Sequence, residues 1–144
     1  MPYPEPLVAP MRQELVRLGF RELRSPDEVD TVLENVSDPL LVVVNSVCGC
    51  AAGAMRPGVA LSLQGEPTPP ALTTVFAGQD LEATARAREY FVGYPPSSPS
   101  IALLKGGELV WMLERHQIEG RGPQQIAATL KDAYREHCDT ATPA

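Results

Sequence analysis

Apolar residues in this chain recur at two spacings, and those spacings predict the elements. Met11, Leu15 and Leu18 share one side of a helix over residues 10–20, which Gly19 closes. Residues 1–9 are rich in proline and are expected to be loosely held. Ser25-Pro26-Asp27-Glu28 is a helix start, with Ser25 as N-cap, Pro26 in the first turn and Glu28 closing a capping box. Val29, Val32, Leu33 and Val36 give that helix its apolar face, and Asp38-Pro39 ends it. Residues 40–44 form an unbroken apolar run of strand length, rich in β-branched side chains, as suits a strand covered on both faces.

A helix over 51–64 follows, with a kink expected at Pro57. Leu72, Val75 and Phe76 mark a strand over 71–77. Asp80 is the predicted N-cap of a helix over 81–92, with Leu81, Ala85, Arg88 and Phe91 on one side. Residues 93–100 read as a loop. Two strands, 101–104 and 109–113, are joined by Lys105-Gly106-Gly107-Glu108, a hairpin signal. Pro123 opens a last helix, with Ile126, Leu130, Ala133 and Tyr134 turned inward. This order predicts an α/β domain spanning 1–144, a mixed sheet with helices on both faces, and a tail over 139–144.

Composition narrows the function classes. The 144-residue length suits one domain with a sizeable core. A net charge of −6 argues against nucleic acid and against anionic membranes as partners. No apolar run approaches a membrane span, and the first residues lack the basic and apolar regions of a signal peptide. The cytoplasm is the expected compartment. There, paired cysteines tend to be redox-active or metal-binding rather than structural.

The chemistry is concentrated in Val47-Cys48-Gly49-Cys50-Ala51, at the passage from buried strand to helix. A cysteine at a helix N-terminus faces unpaired N–H groups and the positive end of the dipole, so Cys48 is expected to be more acidic than a free thiol. A thiolate attacks disulfides, and a second thiol two places on can resolve the resulting mixed disulfide. Gly49 is expected to relax the backbone between the sulfurs.

Two other readings apply to the pair. They could be buried structural cysteines, or they could join His116, His137 and Cys138 around a metal. The single-residue spacing and the scatter of the other candidates disfavour the metal. Cys138 lies at the negative end of the last helix, where a thiolate is disfavoured, and reads as structural. His116, His137, Glu114 and Arg115 read as solvated or structural groups, and Trp111 as core or partial cover. Asn45 and Ser46 read as caps of the strand–helix turn, and Arg56 as too far along its helix to reach the thiolate.

Strand, cysteines, Pro-containing helix, Ser98-Pro99-Ser100 and a Lys-Gly-Gly-Glu hairpin together resemble the thioredoxin fold. A narrower resemblance, to the bacilliredoxin A/B family, rests on several segments. They are Val43 to Gly53, Arg56-Pro57, Val75 to Asp80, Ala83-Thr84, Arg88 to Phe91, Pro99-Ser100, Ala102 to Gly106, Arg115-His116 and His137-Cys138. The thioredoxin likeness implies a cis Pro99 which, with Ser98, shapes a substrate groove. The family likeness implies removal of bacillithiol from S-bacillithiolated client proteins, with disulfide isomerisation by the same two thiols as the runner-up. In the removal reaction Cys48 is the nucleophile and Cys50 the resolving thiol, and the low-molecular-weight thiol is a co-substrate. No metal, nucleotide or flavin is implied.

Overall fold

The computed structural model describes residues 2–138. Its organising element is β2 (Leu40–Asn45), the strand foreseen from the apolar run, and every one of its residues is buried. β3 (Ala71–Phe76) pairs with it in parallel, from Leu40↔Ala71 to Asn45↔Phe76. β4 (Ser100–Lys105) pairs on the other side, antiparallel, with Val44 opposite Ser100. β5 (Glu108–Leu113) closes the hairpin through Gly106 and Gly107, which both take the positive φ that such a two-residue turn requires. A two-residue strand, β1 (Arg21–Glu22), adds to β3, giving the order β1-β3-β2-β4-β5.

Alternation along β2 divides the core. Leu41 and Val43 pack with α1 (Glu5–Val16), α3 (Arg56–Ser62) and α6 (Pro123–His137), through Leu15, Val59, Ile126, Leu130 and Tyr134. Leu40, Val42 and Val44 pack with α2 (Pro26–Asn35) and α4 (Leu81–Arg88), through Val29, Leu33, Ala83 and Ala87. Helices therefore cover both faces, as expected for a β2 apolar on both sides.

Ser25 caps α2 as foreseen, its Oγ accepting the Glu28 N–H at 3.2 Å, but the expected capping box does not close on the Ser25 N–H, because the Glu28 carboxylate takes the Arg24 N–H at 2.9 Å. Several expectations are corrected. Residues 1–9 are expected to be loose, but within the described residues α1 begins at Glu5 and Val8 is fully buried. Pro10 sits inside that helix. Asp80 does not cap α4 with its side chain, because its carboxylate is held by Arg12, at 2.7 and 3.1 Å. The buried side of α4 is Ala83, Thr84 and Ala87, and Leu81 is exposed; the helix ends at Arg88. A four-residue helix, α5 (Arg115–Ile118), was not foreseen. The irregularity expected at Pro57 lies just before it, as a π-helical turn over Ala51–Met55 closed by the Arg56 N–H on the Ala51 carbonyl. Pro57 then falls in the first turn of α3, where its missing N–H costs nothing. The tail at 139–144 lies outside the described residues.

The α3–α6 crossing supplies a stability test. A Cβ on Gly58 would stand 2.7 and 2.9 Å from Ile126 carbons and 3.1 Å from the Pro123 carbonyl oxygen. Gly58→Ala gains helix propensity of about 0.5–1 kcal/mol, but the overpacking costs about 1–3 kcal/mol. The expected outcome is a lower urea midpoint with an unchanged m-value.

Candidate functional site: a cysteine pair at the ends of the strands

The site begins where β2 ends. Asn45 is buried, and its amide serves three neighbours. Its Oδ1 accepts the Ser46 N–H at 2.9 Å and Arg56 Nη1 at 2.8 Å, and its Nδ2 donates to the Met11 carbonyl at 3.2 Å. Arg56 is itself buried. It also reaches the Ser46 carbonyl at 3.1 Å, and its Nε lies 3.1 Å from a Glu14 carboxylate oxygen. Ser46 Oγ in turn accepts the Cys48 N–H at 3.2 Å. The Cys48 carbonyl accepts from Ala51 at 3.0 Å and Ala52 at 3.2 Å, which starts the helical path. The capping role expected of Asn45 and Ser46 is thus what the coordinates show. The reach of Arg56 back to this junction was missed.

The two sulfurs stand 2.9 Å apart as free thiols. Their surroundings push them in opposite directions. Cys48 is held below the ordinary thiol range, first by the hydrogen bond from Cys50. The N–H groups of Cys50 and Ala51 and the positive charge of Arg115 add to this, against the opposing effect of burial. Cys50 is pushed up, first by burial and then by donating its proton to Cys48. Cys48 is therefore the more acidic thiol of the pair. Cys50 packs on the core beneath, while Cys48 opens into a surface cleft.

That cleft, of about 380 Å³, is built from strand ends. β2 leads into Ser46, Val47 and Cys48, and β3 into Ala77 and Gly78. Ser98 comes from the approach to β4, Arg115 follows β5, and Tyr3 closes one wall. Gly78 has a positive φ and no side chain, and the Tyr3 ring lies 3.3 Å from where a Cβ would be. The Tyr3 N–H donates to Gln79 Oε1 at 2.7 Å, which fixes the segment across the site.

Of the residues singled out in the sequence, Ser98 joins Cys48 in this cleft. Pro99 is buried behind it, after a cis Ser98–Pro99 bond. Gly49 is exposed, its φ lies outside the left-handed region, and a Cβ there would meet nothing within 4 Å. The dithiol form makes no steric demand for glycine at that position. Cys138 is buried, and burial pushes its thiol up to about 11. His116 is exposed and lies 3.1 Å from Glu114. Among the described residues no three His, Cys, Asp or Glu side chains converge as metal ligands, and no helix is long and apolar enough to cross a membrane. Sequence reasoning missed Arg115, whose Nη1 donates to the Ser98 carbonyl at 3.0 Å and whose charge acts on both cysteines.

Comparison with known proteins agrees with this geometry. Solved thioredoxin folds superimpose on the chain. The thioredoxin-like domain of Arabidopsis NCP matches with a TM-score of 0.57 at 16% identity, over 81% of this chain and 77% of that one. Thioredoxin 3 of Saccharomyces cerevisiae mitochondria matches at 0.51 and 19%, over 80% and 96%. A family model described as disulphide isomerase covers residues 3–138. A bacilliredoxin of Bacillus licheniformis is 55% identical over 94% of this chain and 95% of its own length. A bacilliredoxin of Koribacter versatilis is 53% identical over 94% of each. With identity at this level over nearly its whole length, on a thioredoxin-like fold, the chain belongs to the bacilliredoxin family of thiol–disulfide oxidoreductases.

Proposed function

We propose that this protein removes bacillithiol from S-bacillithiolated client proteins through Cys48 and Cys50. The observation that carries the reading is the 2.9 Å sulfur pair, with the more acidic member in the cleft and the less acidic one against the core. Similarity to the bacilliredoxins supports that choice of substrate class.

The chemistry balances within the dithiol. The Cys48 thiolate attacks the bacillithiol sulfur of the mixed disulfide. A Cys48–bacillithiol bond forms, and the client leaves as a thiolate that takes a proton from water. Cys50 then loses its proton and attacks Cys48 Sγ, releasing bacillithiol and leaving a Cys48–Cys50 disulfide. Two electrons pass from the dithiol to the mixed disulfide. A thiol reductant, either a second bacillithiol or a reductase, restores the pair. No metal, nucleotide or flavin enters, and a reducing cytoplasm is the compartment that suits this cycle. Ser98, ahead of the buried Pro99, offers backbone against which an incoming segment aligns.

The family description favours a second reading, disulfide isomerisation by the same two thiols. The two separate on substrate: an isomerase rearranges a scrambled disulfide protein without bacillithiol, and a bacilliredoxin does not.

Intact-mass analysis after incubation with a bacillithiolated client tests the roles. Cys50→Ala is expected to hold one bacillithiol, Cys48→Ala none, and the unmodified protein to end as the internal disulfide. An adduct on Cys48→Ala would sink the assignment of the nucleophile.

The pH dependence follows from the same pair. Because Cys48 is held below the ordinary range, its alkylation rate should rise with pH through a midpoint under the ~8.5 of a free cysteine. Cys50→Ala deletes the leading cause of that shift, so its midpoint should move upward. Cys138, at about 11, stays unlabelled in the native protein and does not obscure the titration.

A further inference from the structure

Cys48 shares its cleft with one charged side chain, and that side chain is a cation in a chain whose net charge is −6. Arg115 is held in place there. Its Nε pairs with Glu119 at 2.9 Å, and Nη1 donates to the Ser98 carbonyl at 3.0 Å. Its backbone N–H reaches Ser97 Oγ at 3.4 Å. Nη2 has no partner among the described residues. A guanidinium fixed on two sides with a free edge is poised to receive a carboxylate. The cleft volume of about 380 Å³ is within the range of small-molecule sites. Tyr3 stands in the same cleft as a wall on which a small molecule can rest.

We propose that Arg115 is the specificity residue for the low-molecular-weight thiol: it binds a carboxylate of that thiol and thereby decides which sulfur of the mixed disulfide meets Cys48. This rests on the nucleophile assignment made above and deepens it. A mixed disulfide offers two sulfurs, and attack on the client's sulfur would transfer the client, not the small thiol, to Cys48. A carboxylate anchored on Arg115 holds the small thiol in the cleft and leaves the bulky client outside as the leaving group. In either attack one S–S bond forms as one breaks, and only the identity of the departing thiolate differs.

The test uses Cys50→Ala protein, so that the first adduct persists, and one client carrying either bacillithiol, which bears carboxylates, or 2-mercaptoethanol, which bears none. Intact mass gives the partition between small-thiol and client adducts on Cys48, and its time course gives the rate. Adding Arg115→Gln is expected to slow bacillithiol uptake about tenfold beyond any change with 2-mercaptoethanol, as loss of a charge-assisted hydrogen bond implies. It should also shift the bacillithiol products toward the client adduct. Arg115→Lys should recover part of both.

Equal slowing with the two probes would mean that Arg115 acts through the thiolate alone, and would overturn the proposal. So would an unchanged partition, or an effect that follows acidic residues on the client and not the small thiol. If Cys50→Ala with Arg115 intact takes up neither probe, the Cys48 reading fails and the proposal with it. Neutral 4,4′-dithiodipyridine and a thermal melt report whether each variant keeps its fold and its reactive thiol. Should Arg115→Gln not fold, the salt dependence of the parent rates decides: bacillithiol uptake must weaken with salt more than 2-mercaptoethanol uptake.

Discussion

The site depends on a buried amide with partners at both its oxygen and its nitrogen. β2 is sealed on both faces, so the backbone leaving it carries polar groups into a place with little water. Asn45 resolves this by accepting from Ser46 and Arg56 while donating to α1 at Met11. Ser46 then uses its own hydroxyl to accept the Cys48 N–H. Each bond holds the next residue, so the position of the nucleophile is inherited from the core. The chain of contacts also explains a buried arginine beside the redox pair. Arg56 is needed where a strand end and a helix start leave acceptors together, and Glu14 balances its charge.

The sulfur pair divides its labour by depth. Both thiols have similar intrinsic acidity, and they are two residues apart. What separates them is that one packs on the core and the other opens to the cleft. Burial disfavours charge on Cys50, which makes it the less acidic thiol and the better donor toward Cys48. Local backbone N–H groups and Arg115 add to the stabilisation of the Cys48 thiolate. The helix-end argument made from the sequence was right in direction. It did not include the hydrogen bond from Cys50, because it could not give the distance between the two sulfurs.

Local signals were legible, and long-range ones were not. The unbroken run at Leu40 to Val44, the Ser25 to Glu28 start, the Gly106-Gly107 turn and the inward stripe of α6 all carry their reason within a few residues. β1 is only two residues long and exists because β3 is beside it. Asp80 had the spelling of a helix cap, but Arg12 from α1 claimed its carboxylate. Arg56 does not act on the thiolate, as read, but its contacts with Asn45 and Ser46 went unforeseen for a geometric reason. A π turn carries more residues than an α turn, so side chains after Ala51–Met55 face directions that an α-helical wheel does not give. Arg115 was read as solvated, and it is partly so, but the chain brings it to Cys48 only after the hairpin closes.

Sheet topology accounts for that last convergence. β2 and β3 are parallel, and β4 runs against both. β5 runs against β4, so it points the same way as β2. The carboxyl ends of β2, β3 and β5 therefore share one edge of the sheet with the amino end of β4. Those ends deliver Cys48, Gly78, Arg115 and Ser98 respectively. A crevice at the carboxyl ends of strands is where open α/β sheets place ligands, because the chain leaves the sheet there and side chains from distant segments meet. The antiparallel β4 adds something that a purely parallel sheet lacks. It brings in a segment that is entering the sheet, whose Ser98 carbonyl is then available to be held by Arg115, just past the end of the neighbouring strand. The nucleophile, the loop before β4 and the cation are thus positioned by strand pairing, which is why segments distant in the sequence meet at one cleft without a disulfide to tie them.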